Sequence, residues 1–238
     1  FTVAEKPTGS ISLGAGFSSA EKVTLSFGIR QENAFGSGNY LAVEVNTSKY
    51  NRNLVLSTTD PYFTQNGISR TIDVFQRTTR PYLGDINSYS LVNSGLGLRF
   101  GVPVTETDTV FLGANAEQTH IKSGTGLPDP YKEYADKFGS TSTAFPLTLG
   151  WARDGRDSAL VPSKGIYQRV NADLSLAGDV RYFRSNYQFQ QYFPLSKKYT
   201  LAINADIGWG KGLSGQEFPL FKNFYVGGLG SVRGFEQS

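Results

Sequence analysis

Residues 199–209 read YTLAINADIGW, and this stretch decides the fold class. Its side chains alternate between two kinds. The first set is apolar and bounded by aromatic residues: Tyr199, Leu201, Ile203, Ala205, Ile207 and Trp209. The second set is polar or small: Thr200, Ala202, Asn204, Asp206 and Gly208. Successive side chains of a β-strand point to opposite faces, so this stretch predicts a strand with one apolar and one polar face.

The same alternation recurs along the chain. It occupies residues 10–17, 23–30, 39–48, 52–59, 70–79, 89–102, 110–121, 143–153, 166–176 and 183–191. This gives about eleven strands, several of them near the length that crosses a bilayer at a tilt. We therefore predict an all-β fold, an antiparallel transmembrane β-barrel with meander topology.

Composition supports this class and excludes others. The mean hydropathy is -0.29, and no run of about eighteen apolar residues is present, which excludes a helical membrane protein. The chain has no cysteine, which excludes disulfides and thiolate metal sites. A net charge of +3 gives no reason to expect a nucleic-acid partner. A soluble β-sandwich or a lipocalin-like barrel also alternates, but the strand number and the aromatic residues near strand ends favour the membrane barrel.

The connections between these strands differ in length by side. Residues 103–108 and 194–197 are short turns, whereas the longest links, residues 80–88, 122–142 and the tail after Lys211, all fall on one side of a meander. Outer-membrane barrels have tight periplasmic turns and long extracellular loops. Two connections on the short-turn side, residues 31–38 and 154–165, are longer than a tight turn and depart from this rule.

Few residues suggest chemistry. His120 and Glu117 are three apart on one strand and should face opposite sides, which is poor geometry for a catalytic dyad. Residues 153–157 read RDGRD and are interpreted as a solvated turn. The glycines at 208, 210 and 212 and at 227, 228 and 230 precede no helix that could bind a phosphate. We therefore predict no catalytic residue, no cofactor and no metal, and a protein that is not an enzyme.

The tail is the most unusual part of the sequence, because residues 223–235 read NFYVGGLGSVRGF. It resembles the sixth extracellular loop of the BamA family of barrel-assembly proteins, whose signature matches four residues here: Val232, Arg233, Gly234 and Phe235. Three further stretches resemble that family in order. They are residues 5–9 at the entry to the first strand, residues 59–63 after the fourth strand, and residues 153–165 after the eighth.

The resemblance implies a barrel of about sixteen strands that inserts other barrel proteins into the outer membrane. It implies POTRA domains before the barrel, with residues 1–7 ending the last of them, and accessory lipoproteins around it. Residues 212–238 would begin the long extracellular loop, and about five further strands are expected beyond the chain. The alternatives are a two-partner secretion pore or TamA-like translocation protein and, behind these, a passive channel or outer-membrane hydrolase.

The implied mechanism places two sites in the sequence. A lateral gate strand would template incoming strands of unfolded clients next to outer-membrane lipid, and it comprises Gly9, Ser10, Ile11, Ser12, Leu13, Gly14, Ala15 and Gly16. Its glycines lower the cost of bending and fraying, or merely relieve packing inside the barrel. The planar donor fork of Arg233 would meet an acidic or aromatic group inside the barrel.

Overall fold

A computed structural model describes residues 8–18, 22–80, 89–123, 127–196, 198–224 and 226. The strands are β1 (Gly9–Ser18), β2 (Lys22–Gln31), β3 (Tyr40–Thr47), β4 (Asn51–Asp60), β5 (Ser69–Thr79), β6 (Tyr89–Pro103), β7 (Asp108–Ser123), β8 (Thr141–Asp154), β9 (Gly165–Gly178), β10 (Tyr182–Pro194) and β11 (Thr200–Gly212). One helix, α1 (Asp129–Phe138), and two short 3-10 turns, Ala34–Gly36 and Leu220–Lys222, complete the described elements.

All eleven strands form one sheet in chain order, and each pairs antiparallel with its neighbour. The predicted all-β meander of about eleven strands is thereby confirmed. Within the described residues β1 and β11 are the two edges of this sheet. One irregularity lies between β8 and β9, where the register shifts next to Pro146. Proline has no N–H to donate to the ladder, which is why the pairing is interrupted there.

The two faces of the sheet have opposite characters. Apolar side chains such as Leu54, Leu96 and Leu147 form the outward face and are 43%, 51% and 56% exposed. The inner face is polar and more sheltered, and Thr71 and Glu117 on it are each 8% exposed. A soluble protein would bury the apolar set instead. This inversion is the arrangement of a membrane barrel, whose strands face lipid with their apolar side.

The meander sorts the connections onto two ends. The short-turn end carries residues 32–39, 61–68, 104–107, 155–164 and 195–199. The long-loop end carries residues 48–50, 127–140 and 179–181, and β5, β7 and β11 also end there. The strands that precede the three longest links therefore all end on one side, as the alternation predicted. The two longer links on the opposite side also lie where they were expected.

Helix α1 was not predicted, since residues 122–142 were interpreted as a loop. Its start is favoured by a proline in the first turn beside Asp129, and its end by Gly139, whose φ is +83°. Tyr131 and Tyr134 are buried on one face of it. Among the described residues no helix combines the length and the apolar character needed to cross a membrane.

A small hydrophobic core lies at the long-loop end, on the inner side of the sheet. It comprises Ile121, Leu127, Tyr131, Tyr134, Ala144, Val180 and Tyr182, with Phe218, Leu220 and Phe221 packed against it. Its members come from strand ends, from α1 and from the chain after β11. The core therefore joins segments that are far apart in sequence.

The orientation of β11 can be tested by cysteine scanning in the natural full-length protein. Cysteines at Leu201, Ile203 and Ile207 should react with a membrane-restricted label, because these side chains belong to the outward apolar set. Cysteines at Asn204 and Asp206 should remain unlabelled, because they face inward. Preferential labelling of Asn204 and Asp206 would invert the assignment of the two faces.

Candidate functional site

Strand β1 contains the whole predicted gate strand and forms one edge of the sheet. Its outward side chains are strongly exposed: Ile11 is 71%, Leu13 is 81% and Phe17 is 76% exposed. Leu13 lies opposite Phe27 and Phe17 opposite Val23 on β2, so the outward contacts of β1 are apolar pairs. Its role as a gate is taken up below as a proposal.

The hydrogen-bonding pattern between β1 and β2 shows which backbone groups of β1 point away from β2. The N–H of Glu32 donates to the carbonyl of Thr8 at 3.0 Å, and these two residues continue the β1–β2 register. Backbone groups of an antiparallel strand alternate in direction from one residue to the next. The even-numbered residues therefore bond to β2. The odd-numbered residues turn their N–H and C=O groups away from β2, toward the side on which no described strand lies: Gly9, Ile11, Leu13, Ala15 and Phe17.

On the inner face β1 contributes only small groups. A Cβ added at Gly16 would lie 2.9 Å from the hydroxyl of Thr24, and one added at Gly14 would overlap the hydroxyl of Ser26. The hydroxyl of Ser12 donates to the carbonyl of Gly28 at 3.4 Å. These glycines make room for the hydroxyls of β2, so few inward side-chain contacts hold β1 to its neighbour.

A second candidate site is formed by the chain after β11, residues 213–224, called here the return segment. It begins with a tight turn in which the N–H of Gln216 donates to the carbonyl of Leu213 at 3.0 Å. Ser214 and Gly215 at the centre of this turn have φ values of +55° and +78°. Two central residues with positive φ are characteristic of a type I′ turn, which reverses the chain sharply. The chain is thereby directed back along β11.

The return segment lies on the inner face of β11, over three alternate glycines. A Cβ at Gly208 would come within 2.6 Å of the ring of Phe224, and one at Gly210 within 2.5 Å of the ring of Phe218. A Cβ at Gly212 would overlap the backbone carbonyl oxygen of Gln216. Only a strand without side chains at these positions allows so close an approach.

A buried polar cluster fixes the far end of the return segment to the barrel wall. Glu117 on β7 forms an ion pair with Lys222, and it accepts a hydrogen bond from the hydroxyl of Tyr182 at 3.1 Å. The side chains of Glu117 and Lys222 are 8% and 17% exposed. The Lys222 ammonium also lies 5.5 Å from the ring centroid of Tyr182. We call Glu117, Tyr182 and Lys222 the lumen cluster.

Further contacts extend this anchorage to α1 and β10. The ring of Phe221 meets Tyr134 of α1 edge-on, with centroids 5.8 Å apart. The guanidinium of Arg184 lies 4.3 Å from the ring centroid of Phe224, a cation–π contact. On the surface Lys137 of α1 pairs with Glu217 at 3.0 Å, and this hydrogen bond raises the pKa of Lys137. The return segment is thus bound at several points along its length.

The structure separates His120 from Glu117, as predicted. The Nδ1 of His120 lies 2.8 Å from the hydroxyl of Thr141 on the outward side, while Glu117 is buried in the lumen cluster. Across the described ranges no three metal-binding side chains come together. Residues 232–235, the loop signature, and residues 1–7 lie outside the described residues.

The sequence RDGRD forms the turn that was expected, between β8 and β9. Arg156 binds both carboxylate oxygens of Asp154, at 2.9 and 2.7 Å. Asp157 accepts hydrogen bonds from the hydroxyl of Ser163 and from the backbone N–H groups of Ser163 and Lys164, and these lower its pKa to about 2. Folding stability from Asp157 is therefore present above about pH 4 and is lost as the pH falls through about 2.

Sequence reasoning missed the lumen cluster and gave the glycines of β11 no role. It considered Gly208, Gly210 and Gly212 as a phosphate-binding motif and rejected that interpretation, because no helix follows them. Their alternation within the inward set was the usable signal, because glycine at every second position marks the close approach of another segment. Nothing local in the sequence pairs Glu117 with Lys222.

Comparisons with known proteins agree with this geometry. The sequence model of the Omp85 superfamily domain matches residues 33–238. The outer membrane protein assembly factor BamA of Neisseria meningitidis serogroup B is 37% identical over 247 residues, which cover 99% of this chain and 31% of that protein. The factor of the same name from Nitratidesulfovibrio vulgaris is 25% identical over 236 residues, covering 98% of this chain and 29% of that protein.

Among solved structures, BamA from Haemophilus ducreyi lacking POTRA domains 1–3 superposes with a TM-score of 0.88 and 25% identity, over 98% of this chain and 47% of that chain. An outward apolar face, a polar inner face and strands in meander order define a β-barrel protein of the outer membrane. The chain belongs to the Omp85 superfamily. The resemblance to BamA seen in the sequence is confirmed. The chain spans about a third of the length of these curated relatives, 31% and 29%.

Proposed function

We propose that the natural protein inserts and folds other β-barrel proteins in the outer membrane, with β1 as the template strand. The observation that carries this proposal is the place of β1 at an edge of the described sheet, where the N–H and C=O groups of its odd-numbered residues point away from β2. In lipid each bare backbone group costs several kcal/mol, so an incoming strand that supplies the missing hydrogen bonds is strongly favoured. This mechanism requires no nucleotide and no chemical step.

The inner face of β1 supports its role as the strand that opens. Phe218 and Phe224 of the return segment pack on β11, whereas the inner face of β1 carries only hydroxyls and glycines. Fewer side-chain contacts therefore oppose the separation or bending of β1. Relatives named outer membrane protein assembly factor support this function.

The partners follow from the proposal. Unfolded β-barrel clients would pair with β1, and outer-membrane lipid would surround the apolar outward face. Assembly lipoproteins and POTRA domains would act with this barrel in the natural protein. Residues 1–7 would then link the barrel to the last POTRA domain, and Val232–Phe235 would act in the loop that the return segment begins.

Proline substitution at adjacent residues tests the template. Ala15→Pro removes one N–H from the side of β1 that faces away from β2 and leaves the β1–β2 ladder intact, since proline is tolerated at such positions. We expect the natural protein with Ala15→Pro to fold but to insert a client barrel into liposomes about tenfold more slowly, the effect of losing about 1.4 kcal/mol of strand pairing.

Two control variants make this result specific. Ala15→Val changes the side chain but keeps the N–H, so it should insert clients at the normal rate. Gly14→Pro removes a hydrogen bond to β2 and should lower barrel stability itself. A folded Ala15→Pro protein with an unchanged insertion rate would rule out templating by this edge, as expected of a secretion pore or passive channel.

A further inference from the structure

The outward face of the barrel has an asymmetric distribution of charge, independent of the proposed function. Two described carboxylates occupy outward strand positions, and both lie at the short-turn end. Asp60 pairs with Arg70 at 3.8 Å, and Asp108 pairs with Arg153 at 3.7 Å. The outward arginines at that end are thus neutralised by the protein itself.

At the long-loop end no such ion pair joins the described outward cations. Four exposed cations continue the outward-facing alternation of β4, β5, β7 and β11 at this end: Arg52, Arg80, Lys122 and Lys211. None of them has a carboxylate within ion-pair distance among the described residues. Within the part of the chain that the structure describes, no carboxylate of the protein neutralises these four charges.

These exposed cations lie closest together on β4 and β5. Arg52 is opposite Thr78, which makes Arg80 its diagonal neighbour on the same face, about 7–8 Å away. Arg80 is fixed in place, because its N–H donates to the carbonyl of Tyr50 at 2.7 Å and its guanidinium to the carbonyl of Lys49 at 3.3 Å. The exposed Lys49 ammonium, 5.3 Å from the ring centroid of Tyr50, adds a third cation.

We propose that Lys49, Arg52 and Arg80 bind the phosphate group of a lipid in the outer leaflet. Long loops mark the extracellular side of outer-membrane barrels, which places these residues at the outer leaflet. A guanidinium presents a fork of donors that matches phosphate oxygens. Directly below Arg52 on the same face lies Leu54, 43% exposed, where an acyl chain would run. The adjacent apolar belt favours a lipid phosphate over a soluble one.

The test uses the purified, delipidated natural protein in dodecyl maltoside, titrated with bisphosphorylated lipid A and followed by native mass spectrometry. We expect Arg52→Gln/Arg80→Gln to weaken lipid A binding about 30-fold, and either single variant about 5-fold. Arg52→Lys/Arg80→Lys should bind more tightly than the glutamine double variant and more weakly than the unmodified protein, because it keeps the charge and loses the donor fork. The matched control, Arg70→Gln/Arg153→Gln, removes two outward arginines at the other end and should change the affinity by less than about 3-fold.

Three outcomes would overturn the proposal. The first is equal weakening in the control, which would show an effect of net charge alone. The second is unchanged binding in Arg52→Gln/Arg80→Gln, or equal binding of dephosphorylated lipid A. The third is full competition by inorganic phosphate, which would identify a soluble anion as the ligand. Heat-modified electrophoretic migration shows whether each variant is folded. If the double variant does not fold, the two single variants still test the proposal.

Discussion

Glu117→Gln should destabilise the barrel by about 3 kcal/mol, the loss expected when one partner of a buried ion pair is removed. The variant keeps the shape of the side chain but leaves the Lys222 ammonium, 17% exposed, without its counter-charge. Lys222→Met should cost a similar amount, because the Glu117 carboxylate would then be buried unpaired. The midpoint of urea unfolding of the natural full-length protein in detergent measures both losses.

The double variant separates a true pair from two independent effects. Glu117→Gln/Lys222→Met removes both charges and should recover most of the lost stability, since replacing a whole buried pair is often nearly neutral. The exposed pair of Lys137 with Glu217, whose side chains are 55% and 65% exposed, supplies the control. Lys137→Met should cost less than about 1 kcal/mol. Strictly additive losses in the double variant would show that the two residues do not act together.

Gly212→Ala should release the return segment from β11. The added methyl group would overlap the backbone carbonyl of Gln216, and backbone cannot move aside as cheaply as a flexible side chain. The turn must shift, which breaks the hydrogen bonds of the Gln216 side chain to the N–H of Arg181 at 2.7 Å and to the carbonyl of Asp179 at 3.2 Å. We expect a loss of about 2 kcal/mol, within the usual range for overpacking.

Hydrogen–deuterium exchange locates this effect. Amides of residues 213–224 should exchange faster in Gly212→Ala, while those of β4 to β8 should not change. The control is Gly16→Ala, whose added methyl group meets only the hydroxyl of Thr24 at 2.9 Å, so this variant should cost less than about 1 kcal/mol. If Gly212→Ala exchanged like the unmodified protein in residues 213–224, the close approach of the return segment to β11 would be wrong.

The strands could be predicted because each one has a local pattern of alternating apolar and polar residues. In β11 the alternation of Leu201 and Ile203 with Asn204 and Asp206 is a local property, since successive side chains of a strand must point to opposite faces. Alternation also fixed the two ends, because strand order in a meander decides on which side each connection lies. It could not decide which set faced outward, and the exposure of the apolar set decided that.

Helix α1 was missed for a different reason. Residues 129–138 bury Tyr131 and Tyr134, but against strand ends and the return segment rather than against a neighbour in sequence. A helix of 10 residues is marginal on its own and depends on such packing. The proline near its start and Gly139 at its end are residues typical of helix ends. They indicate where a helix would begin and end, but not which segment it packs against.

The sequence by itself determined the strand class, the order of the strands, the separation of His120 from Glu117, and the resemblance of the tail to a barrel-assembly loop. Only the tertiary structure decided what the inner face holds. Glu117 and Lys222 are 105 residues apart, and the sheet brings them together by winding β7, β10 and the return segment around one interior. Side-chain alternation determines which face of the sheet each side chain occupies. Which residues that side chain contacts depends on the strand register and on the chain reversals across the whole sheet.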